Sequence, residues 1–116
     1  MSESAGRKDQ RFTFRYPEET TDTEGNPVKN WINVRTVWGR VDSLTGREYE
    51  RVRSINSEIS KKFTVEYRRD MVKKQPEGSP SALKYQVVWD GWEWNIHDIQ
   101  ASDDRRDMAL FVSRVQ

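Results

Sequence analysis

The sequence predicts an all-β domain, a small barrel or sandwich of about six strands joined by long polar loops. Two observations predict it. Aromatic and β-branched residues alternate with polar ones in several short runs, with turn formers between them. One stretch, Lys84 to Ile99 (KYQVVWDGWEWNIHDI), also reads as a hairpin around Asp90-Gly91, a dipeptide that tolerates the positive φ of a type I′ turn. That turn sets Trp89 opposite Trp92, Val87 opposite Trp94 and Tyr85 opposite Ile96. These six residues form one apolar face, expected to be a wall of the core. Gln86, Val88, Glu93, Asn95 and His97 form the other. A lone hairpin is marginal in water, so further strands must cover the apolar face.

Residues 1–10 are polar and read as an N-terminal arm, with a single domain over 11–116. Arg11 to Tyr16 alternates as a half-buried strand, which Pro17 is expected to end. Residues 18–30 read as a loop, by their Gly, Pro, Asp and Thr content. Trp31 to Ser43 is the longest strand-like run. Gly39 within it implies a bulge or a close backbone approach. Arg47 to Asn56 reads equally as a short helix or a strand. Lys61 to Arg68 alternates, with Phe63, Val65 and Tyr67 inward. Residues 69–84 (RDMVKKQPEGSPSALK) read as a loop longer than most connections, and such loops are usually functional or disordered. Met108 to Val115 closes the chain as a strand buried on both faces.

Composition limits function. The chain has 116 residues, 34% hydrophobic and 34% charged, with five Trp, four Tyr and four Phe. A net charge of +1 gives no bulk argument for nucleic acid or an anionic membrane. The absence of cysteine removes disulfides, thiolate metal sites and a Cys nucleophile. No apolar run approaches the roughly 18 residues of a membrane span. The start of the chain has no apolar signal-peptide region, so a cytosol-like compartment is expected.

The chemistry-bearing residues are few. His97 is the one histidine, on the polar hairpin face, where a structural role is the plainer reading. Asp98, Asp103, Asp104 and Asp107 alternate with Arg105 and Arg106, as in a solvated turn. No phosphate-cradling glycine loop or hydrolase motif is present. No enzyme activity and no cofactor are expected. The pairs Lys61-Lys62, Arg68-Arg69 and Lys73-Lys74 lie among aromatics. That leaves open an oligonucleotide-binding barrel that stacks single strands beside a basic groove.

From about Arg11 to Val115 the chain resembles the phage head–tail adaptor family, the head-closure, head-completion or stopper proteins of tailed bacteriophages. The resemblance rests on DTEGNPVKNW (Asp22 to Trp31), VWGRVDSLTGREY (Val37 to Tyr49), FTVEYRRDM (Phe63 to Met71), the W-x-W-x-I of Trp92 to Ile96, and a closing apolar strand. It implies a small β-barrel that joins a ring of copies in the virion, assembled in the host cytoplasm, from copies that in such proteins are often monomeric until they meet the connector. The ring would close the DNA-filled head below the portal and adaptor, help retain double-stranded DNA, and dock the tail. A tail-completion or tail-terminator role at the same junction is the sibling reading. Neither a membrane nor a small-molecule substrate is implied. Within this frame, the loop 72–83 is the expected channel-facing element, with Lys73, Lys74, Gln75, Glu77 and Ser79 nearest DNA. Asp22, Glu24, Asn26 and Lys29 are the expected docking residues of the loop 18–30.

Overall fold

The structure is a computed structural model that describes residues 8–76, 78 and 80–115. Six antiparallel strands close into a barrel: β1 (Gln10–Thr21), β2 (Pro27–Asp42), β3 (Lys61–Glu66), β4 (Gln86–Trp89), β5 (Trp92–Ala101) and β6 (Asp107–Arg114). The order around the barrel is β1-β2-β3-β6-β5-β4. Closure pairs the strands on both sides and so removes the exposed edges of an open sheet.

The interior is aromatic. Phe12 stacks on Phe63 with centroids 4.6 Å apart, and Trp89 and Trp94 meet Phe63 edge-on. Val65, Val87, Ile96, Leu110 and Val112 fill the remaining space. Gly39 lets the walls approach. A Cβ there would lie 2.6 Å from both the Phe12 ring and the Thr64 carbonyl oxygen. Of the two explanations for a strand glycine, close approach is the one that holds at Gly39. The β1–β2 register shift lies elsewhere, between Phe14 and Arg15.

The hairpin pairs as the Asp-Gly turn dictates, Trp89 with Trp92 through Gln86 with Asn95. Asp90 takes φ 54° and Gly91 φ 78°. One member of its expected core face departs, whereas Tyr85, though half-buried, packs against the core beside Phe14. Trp92 is 48% exposed, because it opens the strand at the turn and its ring lies under the Arg114 guanidinium at 4.3 Å. Tyr85 precedes β4 and is half-buried, edge-on to Tyr16. At His97 the β5–β6 register shifts, and its Nε2 lies 2.6 Å from Ser113 Oγ.

Three segments differ from the sequence expectation. Residues 18–30 are not a loop: β1 runs on to Thr21 and β2 begins at Pro27, giving a two-stranded ribbon. Pro17 does not end β1. It pairs with Trp31 where β1 has only β2 beside it, and a residue without an N–H is tolerated at such a free edge. Residues 69–84 are not structureless, since they hold a helical turn α2 (Arg69–Val72) and a 3-10 turn (Ser81–Lys84). Residues 46–53 resolve as the helix α1 (Gly46–Arg53). The expected arm over residues 1–10 lies mostly outside the described residues; Gln10 already belongs to β1, and Lys8 pairs with Asp107 at 2.8 Å.

Helix α1 lies on the outside of the barrel over β3, β6 and β5. Val52 packs with Ile59 and Phe111 in a second small core. Lys62 Nζ donates to Glu48 at 2.9 Å, and Arg51 pairs with Asp98 at 2.6 Å.

Candidate functional site

Strand directions put the β1–β2 ribbon, the segment 67–85 and the turn 102–106 at one barrel end, and the β2–β3 connection that carries α1 at the other. The β1–β2 ribbon leaves the first end, because β2 pairs with β3 only from Gly39 to Asp42 and β1 with β4 only from Thr13 to Arg15. Six residue pairs, Tyr16–Ile32 to Thr21–Pro27, therefore have no third strand. At ~3.3 Å per residue they extend about 20 Å. The molecule measures 58 × 29 × 28 Å.

The ribbon tip is held by its own acid. Asp22 Oδ1 accepts from the backbone N–H groups of Asn26 at 2.8 Å and Glu24 at 2.9 Å. The Asn26 N–H is the main reason its carboxyl titrates below the usual range. Gly25 supplies φ 85° for the turn. Among the expected docking residues, Asp22 therefore shapes the tip, while Glu24, Asn26 and Lys29 stand exposed on it. Lys29 and Arg15 flank the Trp31 ring, at 6.0 and 5.5 Å from its centroid.

The segment 67–85 lies beside the ribbon base, with Arg35 reaching Asp70 at 4.0 Å. A recess between them is lined by Tyr16, Ile32, Val34, Gln75, Lys84 and Tyr85, among others. The segment is pinned at its neck. Ser81 N donates to the Lys73 carbonyl at 2.9 Å, Ser81 Oγ donates to the carbonyls of Asp70 and Met71, and Lys74 bridges to Pro80. Met71 and Ala82 are buried in the main core. Lys73 and Lys74 are exposed, and Gln75 accepts from Lys84 Nζ at 3.1 Å. Glu77 and Ser79 lie outside the described residues.

A cationic cluster that local sequence does not reveal occupies the same end. Tyr67 N donates to the Arg106 carbonyl at 2.8 Å, which seats the 102–106 turn against residues 67–69. Tyr67 lines two adjoining clefts, one with Arg68, Arg69 and Lys73, the other with Arg105 and Arg106. Of the nearby acids, Asp70 is engaged by Arg35, Asp104 by Arg106 and Asp107 by Lys8, whereas Glu66, which lines the second cleft, forms no ion pair among the described residues. Among the described residues, Arg68, Arg69, Lys73 and Arg105 form no ion pair. Arg105 holds φ 57°, a conformation uncommon for a residue with a side chain. The two arginine pairs are 37 positions apart, and only the β3–β6 pairing of Glu66 with Asp107 brings them together.

Among the described residues, no group of three or more His, Asp or Glu side chains could hold a metal ion. Among the described residues, no helix is long and apolar enough to cross a membrane. The geometry offers surfaces: a ribbon, a pinned loop and a cationic cleft on one rim.

The fold is shared with solved structures. The solution structure of protein SF1141 from Shigella flexneri 2a is similar over 94% of both chains, with TM-score 0.64 and 17% identity. A chain in the virion of a native gene transfer agent particle is similar over 94% of this chain and 96% of its own, with TM-score 0.59 and 13% identity. No curated protein matches the chain. The phage head completion protein family matches residues 4–115, nearly the whole sequence, and the chain belongs to that family. Its role is accordingly structural, in the phage head, and its place is in the virion among other phage proteins.

Proposed function

We propose that the protein closes the DNA-filled head at the head–tail connector, as one copy in a ring below the portal and adaptor. The observation that carries this reading is the family match over residues 4–115 together with a barrel whose ribbon and cationic cleft share one rim. In this reading Glu24, Asn26 and Lys29 on the ribbon meet the adaptor or the tail. The loop 72–83 faces the channel, where Lys73 and Lys74, with Arg68, Arg69 and Arg105 behind them, attract the phosphates of double-stranded DNA. Such contacts are electrostatic and independent of sequence. The copies assemble from the host cytoplasm.

The test removes residues 75–79, the loop beyond the Lys73–Ser81 neck. Particles carrying this variant should package DNA but leak it or fail to join tails. Particles that retain DNA and infect normally would overturn the channel role. A position of the protein at the tail side of the junction in a virion reconstruction would instead favour a tail-completion role.

One observation favours an oligonucleotide-binding reading: Trp38 and Trp92 are 54% and 48% exposed. That reading requires tryptophan fluorescence to be quenched by a single-stranded oligonucleotide at low salt, and unchanged fluorescence rejects it.

A further inference from the structure

One face of the β1–β2 ribbon looks back onto the protein itself. Tyr16 and Ile32 are cross-strand partners, and both line the recess opposite Gln75, Ser81, Lys84 and Tyr85. Alternation puts Glu18 and its partner Asn30 on the same inner face, and Glu19 and Lys29 on the outer one. At the floor of the recess the two walls touch. Tyr16 meets Tyr85 edge-on at 5.1 Å, and Arg35 reaches Asp70 at 4.0 Å. Further out they stand apart. Among the described residues, no hydrogen bond or ion pair joins residues 17–33 to residues 73–84.

The ribbon has a hinge at its base. The β1–β2 register shifts between Phe14 and Arg15 and leaves Val34 without a partner, and β4 stops pairing at the same Arg15. A bulge bends its strand, and a segment with few buried contacts moves at low cost. The two walls also match in chemistry. Ile32 and Val34 are 43% and 49% exposed on the recess side, facing the half-buried Tyr85. On the ribbon wall the exposed Glu18 forms no ion pair. On the opposite wall Lys73, Lys74 and Lys84 are exposed and form none either, while Asp70 is already taken by Arg35. Closing the gap removes apolar surface from water and brings Glu18 to these lysines.

We propose that the ribbon is a lid on the loop 72–83. It bends at the Phe14–Arg15 bulge, lays Ile32 on Tyr85, and sets Glu18 beside Lys84. In the free protein the closed form exchanges with the open one, and a partner that binds the open ribbon shifts the balance. Closure covers the neck of the loop. Where the ribbon meets the adaptor or the tail, that contact uncovers the neck; this consequence rests on the head-closure reading above, whereas the closure itself does not.

The chain has no cysteine, so introduced thiols report without background. In the purified protein, Asn30→Cys with Gln75→Cys should form an internal disulfide under mild oxidation. Lys29→Cys with Gln75→Cys, which moves the thiol to the outer face, should do so about tenfold more slowly. Equal rates from the two faces would overturn the lid. Adding Glu18→Lys to the first pair should slow the cross-link about threefold, and Lys84→Glu should then restore it. A rate that ignores both substitutions would overturn the Glu18–Lys84 seat. The cross-linked protein should enter particles about tenfold less than the same protein after reduction. Equal entry would overturn the masking of the loop and leave the head-closure reading standing. Particles that retain DNA and join tails without the protein would remove the head-closure reading, and the cross-link rates would still decide the lid.

Discussion

At Trp94 and Trp92 the same residue type, two positions apart on one strand, meets opposite fates. Trp94 is 5% exposed, packs edge-on to Phe63, and donates its Nε1–H to the Trp89 carbonyl at 3.2 Å. Trp92 stands at the turn with one face covered by Arg114. Replacing Trp94 with Ala should destabilise the protein by about 3–5 kcal/mol, the cost of a core aromatic. Replacing Trp92 should cost much less, within about 1 kcal/mol. Urea denaturation of the two variants checks the ranking, and equal losses would return Trp92 to the core. His97 makes a second prediction at this scale. Burial lowers its pKa from the ordinary 6.5, with Glu58 partly opposing. Protonation is therefore harder in the folded than in the unfolded state. Its contribution is intact above the unfolded pKa near 6.5 and is lost as pH falls through that value toward the lower folded one. His97→Asn should flatten the stability profile between pH 7.5 and 5 relative to the parent, as read by denaturant midpoints; an unchanged slope would reject the assignment.

Among the elements, α1 shows how a local signal can be present and yet outweighed. Tyr49, Val52 and Ile55 recur at helical spacing, but Val52 and Ile55 are β-branched and leave the segment ambiguous. The capping box resolves it. Thr45 Oγ1 accepts from Glu48 N at 3.1 Å, and Glu48 Oε1 accepts from Thr45 N at 3.0 Å. Thr-x-x-Glu at residues 45–48 is a readable helix start. Glu48 also holds Lys62 of β3, so the cap ties the helix to the barrel. Thr45→Ala should cost about 1 kcal/mol, with thermal melts as the check. The ribbon is the contrary case. Its glycine, proline, aspartate and threonine content reads as a loop, because β propensity reports a packed sheet surface and the ribbon has none. It is built instead on cross-strand pairing and the Asp22 turn.

For the whole molecule, the loop 72–83 shows where function can be altered without unfolding. Its base is structural: Ala82 and Met71 are buried and Ser81 ties the neck. A deletion that reaches Ser81 should lower the melting temperature, whereas removal of residues 75–79 should leave it nearly unchanged; equal losses would mean that the tip, too, supports the barrel. The six strands, the hairpin register and the core positions Phe63, Val65, Val87 and Trp94 were legible from period-two alternation and one Asp-Gly turn, because these signals are local. The near-complete resemblance to head-completion proteins was legible for the same reason. The burial of α1 against Phe111 and the exposure of Trp92 were not, since each depends on strands distant in sequence. Nor could the sequence place Arg105 beside Arg68. Residue order specifies which face of a strand is apolar; only the pairing of distant strands specifies which surfaces become neighbours, and the cationic cleft of this protein arises from that pairing.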